Sequence, residues 1–303
     1  MIKSITITNY VGDSIKLELM RPEKSGFIIQ SIDGLGPAKA QINTTTLASS
    51  DGGLFNSAYL TERNIVMSLL FMETATESIE DIRQKSYKYF PSKKKLTFLV
   101  ETDNRRLETE GIVESNEPNI FANQEGCSIT IRCPDPYFYS PNHTNTVFSG
   151  VAPLFEFPFE NESSSEPLLE LSLIEHKKEA VVYNHGDAEV GMTITIHAVG
   201  EATNISIYNL STREQMNINT DRLAALTGSG IVAGDTITIE TRPGKKSISL
   251  LRNGVVTNIL NCLDRGTAWF KLEKGDNTFA YTAEIGSLNL HFNISNKIVY
   301  EGV

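Results

Sequence analysis

Cys127-Ser128-Ile129-Thr130-Ile131-Arg132-Cys133-Pro134-Asp135-Pro136-Tyr137-Phe138-Tyr139 is the stretch whose reading decides the fold. Its first half alternates, with Ile129 and Ile131 on one side and Ser128, Thr130 and Arg132 on the other. A period of two built on β-branched residues predicts a strand buried on one face. Two prolines then follow, two residues apart. Proline donates no ladder hydrogen bond and restricts the residue before it, so the strand must stop and the chain run on extended. Three aromatics come next. Pro134, Pro136, Tyr137, Phe138 and Tyr139 are therefore expected to form an interdomain linker, in which a strand leaves one domain and docks on the next.

The composition around that stretch fits two domains. A chain of 303 residues is long enough for two cores of ordinary size. Its hydrophobic content of 40% and charged content of 21% are those of a soluble globular protein. The formal net charge of −10 argues against nucleic acid as the main ligand, because phosphate binding needs a basic excess. The first residues, Met1-Ile-Lys-Ser-Ile5, alternate and lack a long apolar core, which does not read as a signal peptide. No stretch approaches the roughly 18 apolar residues of a membrane span, so no membrane insertion is expected. Cys127, Cys133 and Cys262 are odd in number and form no CxxC pair, which predicts free thiols in a reducing cytoplasm.

Upstream of the opening stretch the sequence predicts strands at 2–8, 15–20, 27–32, 63–72, 96–101, 105–114 and 126–133. Arg63 to Met72 is so continuously apolar that cover on both faces is expected. One helix is predicted after Thr74, where Thr74-Ala-Thr-Glu77 has capping-box spacing. Ile79, Ile82, Ser86, Tyr89 and Phe90 then form a stripe at three-to-four spacing, and Pro91 ends it. The segment from Asn43 to Asn56 is polar and glycine-rich, poor core material that reads as a long loop or hairpin. The first domain, residues 1–140, is thus an α+β, β-sandwich-like unit with one helix. Residues 141–303 show short alternating strands about every ten residues, separated by turns such as Pro243-Gly244 and Asn253-Gly254. That pattern describes an antiparallel β-sandwich with no helix of consequence, and makes the whole chain mainly β.

No catalytic constellation is legible. His143, His176, His185, His197 and His291 are scattered without metal-ligand spacing, and no G-x-S-x-G elbow occurs. Gly228-Ser-Gly230 through Gly234 departs from a phosphate loop in spacing and reads as a turn. No enzyme activity, cofactor or metal is expected. Trp269, next to Phe270, leaves a carbohydrate-binding sandwich for host surface recognition as the alternative reading. His291-x-Asn293 matches part of a galactose-binding pattern, although the Pro-Arg that should follow is Ile294-Ser295.

Taken in order, several motifs resemble the distal tail protein family of long-tailed phages with flexible tails. They are Thr61-Glu-Arg63-Asn-Ile-Val-Met67, Tyr87-Lys-Tyr-Phe-Pro91, Asp103-Asn-Arg105, Gly111-Ile-Val-Glu-Ser115 and Cys133-Pro-Asp-Pro-Tyr-Phe138. The second half adds Asn184-His-Gly-Asp187, Ala233-Gly-Asp235, Trp269-Phe-Lys-Leu272, Lys274-Gly-Asp-Asn277 and Tyr300-Glu-Gly-Val303. The resemblance implies a structural tail-tip or baseplate-hub protein that assembles as a ring, usually a homo-hexamer. The first domain would form the ring, and the second would be a galectin-like sandwich outside it. Implied partners are the tail tube protein, the tape-measure protein, a tail-associated or tip protein and receptor-binding proteins, with DNA passing through the ring. The protein would be made in the host bacterial cytoplasm and reside at the virion tail tip. Within that picture Asn43, Thr44, Thr45, Leu47, Leu54, Phe55 and Tyr59 are expected on an inter-subunit arm that pairs with a neighbour's sheet edge. The aromatic linker becomes a fixed mount.

Overall fold

The computed structural model describes residues 1–46, 51–153, 172–176 and 178–303. The chain folds into two compact units, Met1–Pro141 with Val299–Val303, and Asn142–Ile298. The second unit therefore ends before the chain does, whereas the sequence reading carries it through Val303.

The first unit holds the strands β1 (Ile2–Asn9), β2 (Ser14–Glu18), β3 (Phe27–Asp33), β4 (Ala40–Thr46), β5 (Gly53–Leu60) and β6 (Arg63–Phe71). Helix α1 (Ile79–Tyr89) follows, then β7 (Lys95–Thr102), β8 (Arg106–Pro118), β9 (Gly126–Cys133) and the start of β10 (Phe138–Val147). An antiparallel sheet runs in the order β2-β1-β7-β8-β9-β6-β3. Alternation puts Ile5 and Ile7, Phe98 and Val100, Ile65, Met67 and Leu69, and Ile129 and Ile131 in one buried core. β6 is buried on that face, but Val66, Ser68 and Leu70 on the other face are only half-buried, so the two-sided cover expected for it is not observed.

Helix α1 starts four residues later than the sequence reading had it. Ser78 is the N-cap, its side chain accepting from the Asp81 amide while the Asp81 carboxylate accepts from the Ser78 amide. Thr74 instead accepts from the Glu77 amide at 3.0 Å and closes a turn before the helix. Two hydroxyl-to-carboxylate patterns lie four residues apart, and the second begins the helix. Ile82 and the following Phe90 bury its apolar stripe. Gly26 (φ +81°) makes room for it, since a Cβ there would lie 2.7 Å from Ile82 Cδ1.

One buried charge joins the distant parts of this unit. Arg63 opens β6 directly opposite Cys133, on the apolar face, and is 2% exposed. Its guanidinium donates to main-chain carbonyls of Gly34 (2.5 Å), Gly36, Pro136 (2.8 Å) and Glu301 (2.6 Å). The Phe138 ring lies beneath it, 4.4 Å from guanidinium carbon to centroid. Burial pulls the Arg63 pKa below the ordinary arginine value, an effect opposed by Cys133 and Asp135. Carbonyl dipoles replace water around the cation. Gly34 has φ +87°, and a Cβ there would fall 2.0 Å from the Asn64 carbonyl oxygen, so glycine is required.

The second unit contains the rest of β10, then β11 (Ser149–Pro153), β12 (Ser172–His176), β13 (Glu179–Asn184), β14 (Thr193–Ala198), β15 (Thr203–Asn209) and β16 (Glu214–Ile218). After helix α2 (Thr220–Thr227) come β17 (Thr236–Glu240), β18 (Ser247–Arg252), β19 (Val255–Asn258), β20 (Gly275–Ile285) and β21 (Leu290–Tyr300). One sheet reads β19-β18-β17-β14-β21-β10 and the other β13-β20-β15-β16, while β11 pairs with β12. The two main sheets meet through Tyr281 of β20 stacked on Phe292 of β21, with ring centroids 3.9 Å apart.

Helix α2 is a feature the sequence reading missed. It is eight residues long and buries only Thr220 and Leu223, too few for a periodic stripe. Asn219 caps its start by accepting from the Arg222 amide, and Gly228 at φ +83° ends it. The loop after Gly228 wraps a side chain of the protein itself. Arg252 donates to Ser229 Oγ (2.6 Å) and the Gly230 carbonyl (2.5 Å), and pairs bidentately with the buried Asp235. Between β19 and β20, Leu272 makes a single bridge with Val190.

Two predictions follow from the first unit. Arg63→Met should lower unfolding stability by about 1.5–3 kcal/mol, the size of lost hydrogen bonds from a charged donor to part-buried carbonyls. An unchanged urea midpoint would contradict this. Burial also raises all three thiols, with Cys127 pushed up to about 12 and Cys133 to about 11. Because only the thiolate reacts, Cys127 and Cys133 should stay silent to a disulfide reagent at pH 8 and react once the protein is unfolded.

Candidate functional site

The residues singled out for chemistry do not converge. Among the described residues no group of three His, Cys, Asp or Glu side chains could hold a metal ion. His197 and His291 stand opposite each other on β14 and β21, and His197 Nδ1 lies 3.1 Å from Thr236 Oγ1. His143 lies 3.2 Å from Ser295 Oγ, and the His185 ring packs on Tyr183 with centroids 4.2 Å apart. Phe270 is the buried member of the Trp269-Phe270 pair, and Lys246 lies over the half-buried Trp269 ring at 5.6 Å. Among the described residues no helix is long and apolar enough to cross a membrane.

The linker residues are placed within the first unit. Pro134 to Tyr137 make a short bend, in which Asp135 accepts from the Tyr137 amide (3.1 Å) and the Tyr139 hydroxyl (2.6 Å). Phe138 is fully buried in the first core, and Tyr139 pairs with Glu108 of β8. The extended run is therefore β10, a strand the prolines had hidden.

The surface feature most unlike the rest is the β4–β5 hairpin. Its two strands pair with each other and form a separate two-stranded sheet. All of β4 is exposed, as is β5 as far as Tyr59. The base is held where the Thr61 amide and hydroxyl both donate to the Lys39 carbonyl.

A bulge sorts its side chains. The register runs Ile42↔Ala58 and Asn43↔Ser57, then Thr44↔Phe55 and Thr45↔Leu54, so Asn56 is the extra residue. Directly opposite residues share a face. Ile42, Thr44, Phe55 and Ala58 thus lie on one side, and Gln41, Asn43, Thr45, Leu54, Ser57 and Tyr59 on the other. Hydrogen bonds from Asn43 to Ser57 (3.1 Å) and from Asn56 to Thr45 (2.7 Å) link polar residues of the second side, which also exposes Leu54 (59%) and Tyr59 (58%). Without the bulge Phe55 would follow Ser57 onto that side. With it, Phe55 joins Ile42, and these two large apolar residues are 62% and 59% exposed.

Six of the seven expected arm residues lie on this hairpin, split between its faces, and Leu47 lies outside the described residues. Ile42 and Ala58 were not singled out by sequence reasoning. Their signal, an apolar pair symmetric about the polar segment, emerges only once the register is known.

Comparison with known proteins bears on the whole chain. Residues 185–294 match the family described as the siphovirus-type tail component, C-terminal domain. No curated protein matches the chain in sequence. Among solved structures, the SPP1 Dit protein (gp 19.1) superposes over 97% of this chain and 99% of its own, with a TM-score of 0.63 at 14% identity. That protein is described as a paradigm of the hub adsorption apparatus in phages infecting Gram-positive bacteria. Chains of the phage p2 baseplate in its activated conformation give TM-scores of 0.47 with strontium and 0.48 with calcium. Their identities are 12% and 13%, with 97% and 98% of both chains covered respectively. This chain therefore has the fold of the SPP1 Dit protein, and its residues 185–294 match the siphovirus-type tail component C-terminal domain.

Proposed function

We propose that this protein is a structural component of a phage tail tip, and that its copies close into a hexameric ring through the first unit. The ring joins the tail tube protein on one side to a tail-associated or tip protein on the other. The tape-measure protein and receptor-binding proteins are further neighbours. It performs no catalysis, and DNA passes through the ring without being a specific ligand. The protein is made in the host bacterial cytoplasm and works at the virion tail tip.

The β4–β5 hairpin is the observation that carries this reading. A two-stranded hairpin alone is at best marginally stable in water, and this one presents Ile42 and Phe55 to solvent. Seven to eight residues per strand give it a reach of roughly 25 Å. Seated on the next copy, the side bearing Ile42 and Phe55 would be covered and the strands stabilised. The hairpin and the surface receiving it differ, so the contact is head-to-tail, the kind that closes into rings. The tail-component domain and the Dit-like fold support the same assembly.

Light scattering on the purified protein should report about six times the mass of one chain. Ile42→Asp with Phe55→Asp should reduce it to a single chain while moving the melting temperature little, since both side chains are exposed in the free chain. A double variant that keeps the full mass would remove the hairpin from the contact. A wild-type protein that stays monomeric at tens of micromolar would overturn the ring.

A further inference from the structure

We infer that Val299–Val303 form a clasp that makes completion of the first unit depend on the folding of the second. These residues follow the whole of Asn142–Ile298 in the chain yet belong to the first unit. Val299 is buried, and Tyr300 packs beside the first core with Arg105 over its ring at 5.0 Å. The Glu301 carbonyl accepts from Arg63 at 2.6 Å. Gly302 lies against the loop of Leu35 to Pro37, where a Cβ would come within 3.2 Å of three main-chain atoms, and the Val303 amide donates to the Leu35 carbonyl at 3.0 Å.

The clasp and the loop share one cation. Arg63 binds Gly34 and Gly36 on one side, Pro136 on another and Glu301 on a third, so a chain lacking Glu301 leaves one of its donors buried without its acceptor. Closing the clasp across an unfolded second unit would cost the loop-closure entropy of a very long loop. Folding of the second unit removes most of that cost. It sets β10 and β21 side by side, with His143 3.2 Å from Ser295, next to the points where the chain leaves and re-enters the first unit. Domains usually fold in order from the N-terminus during synthesis. Here a chain that stops within the second unit has an unfinished first unit, which keeps incomplete products out of any assembly. The clasp holds whether or not the ring forms.

The test is hydrogen exchange on the full chain, read in peptides covering residues 33–38 and 134–139. Deleting Glu301–Val303 should speed exchange there by about tenfold or more, the effect of one lost charge-assisted hydrogen bond. Glu301→Ala should change nothing, because only its main-chain carbonyl is used. Phe292→Ala, which loosens the second core, should speed exchange in the same first-unit peptides. Ile294→Val is the milder alternative if that variant does not fold. Unchanged exchange in the deletion variant would overturn the clasp. So would a second unit that opens while residues 33–38 stay protected.

Discussion

The guanidinium of Arg63 is the interaction on which the first unit depends. A cation held at 2% exposure on a row of Ile65, Met67, Leu69 and Phe71 is costly unless each donor finds a partner. Here the partners are four carbonyls from three separate places in the chain and one aromatic face. Carbonyls offer no compensating charge, so the arrangement works through geometry: four of the five planar donors match acceptors that only the folded backbone places. The same residue therefore fixes the loop after β3, the proline bend after β9 and the return of the chain at Glu301. Lysine, a point charge with three donors on a flexible stem, would not span those directions.

Much of the fold was legible because alternation is a strong signal where one face is buried. Ile129 and Ile131 announced β9, which occurs with the bounds read from sequence, 126–133. The errors also have physical causes. Pro134 and Pro136 do end β9, but a two-proline bend gave no sign that Phe138 starts another strand. Helix α2 is stabilised by its Asn219 cap and Gly228 terminus more than by an apolar face, so periodicity could not find it. Arg63 was visible only as the start of a strand, since its four acceptors lie at sequence separations from 27 to 238 residues. The hairpin could be read as an excursion, but which side Phe55 shares is set by a bulge at Asn56 that no residue type marks.

The two units use their polar surfaces differently. In the second, a bidentate Arg252–Asp235 pair pins the loop after α2 at the end of a sheet whose outward rows are largely Thr, Ser, Asn and His. The edge of that sheet also exposes Leu251, Val255 and Val256. The first unit sends out a hairpin that exposes Ile42 and Phe55 on one side and Leu54 and Tyr59 on the other. Under the proposed function, the hairpin of the first unit is the part that a neighbouring copy covers. On that reading the protein acts by position, holding its neighbours in place.

Negative-stain imaging of the purified full-length chain tests that account most directly. The account predicts closed rings with a central hole, six copies around it, at concentrations where the light-scattering mass is that of the hexamer. A field of single-chain particles, or open filaments without closure, would contradict it.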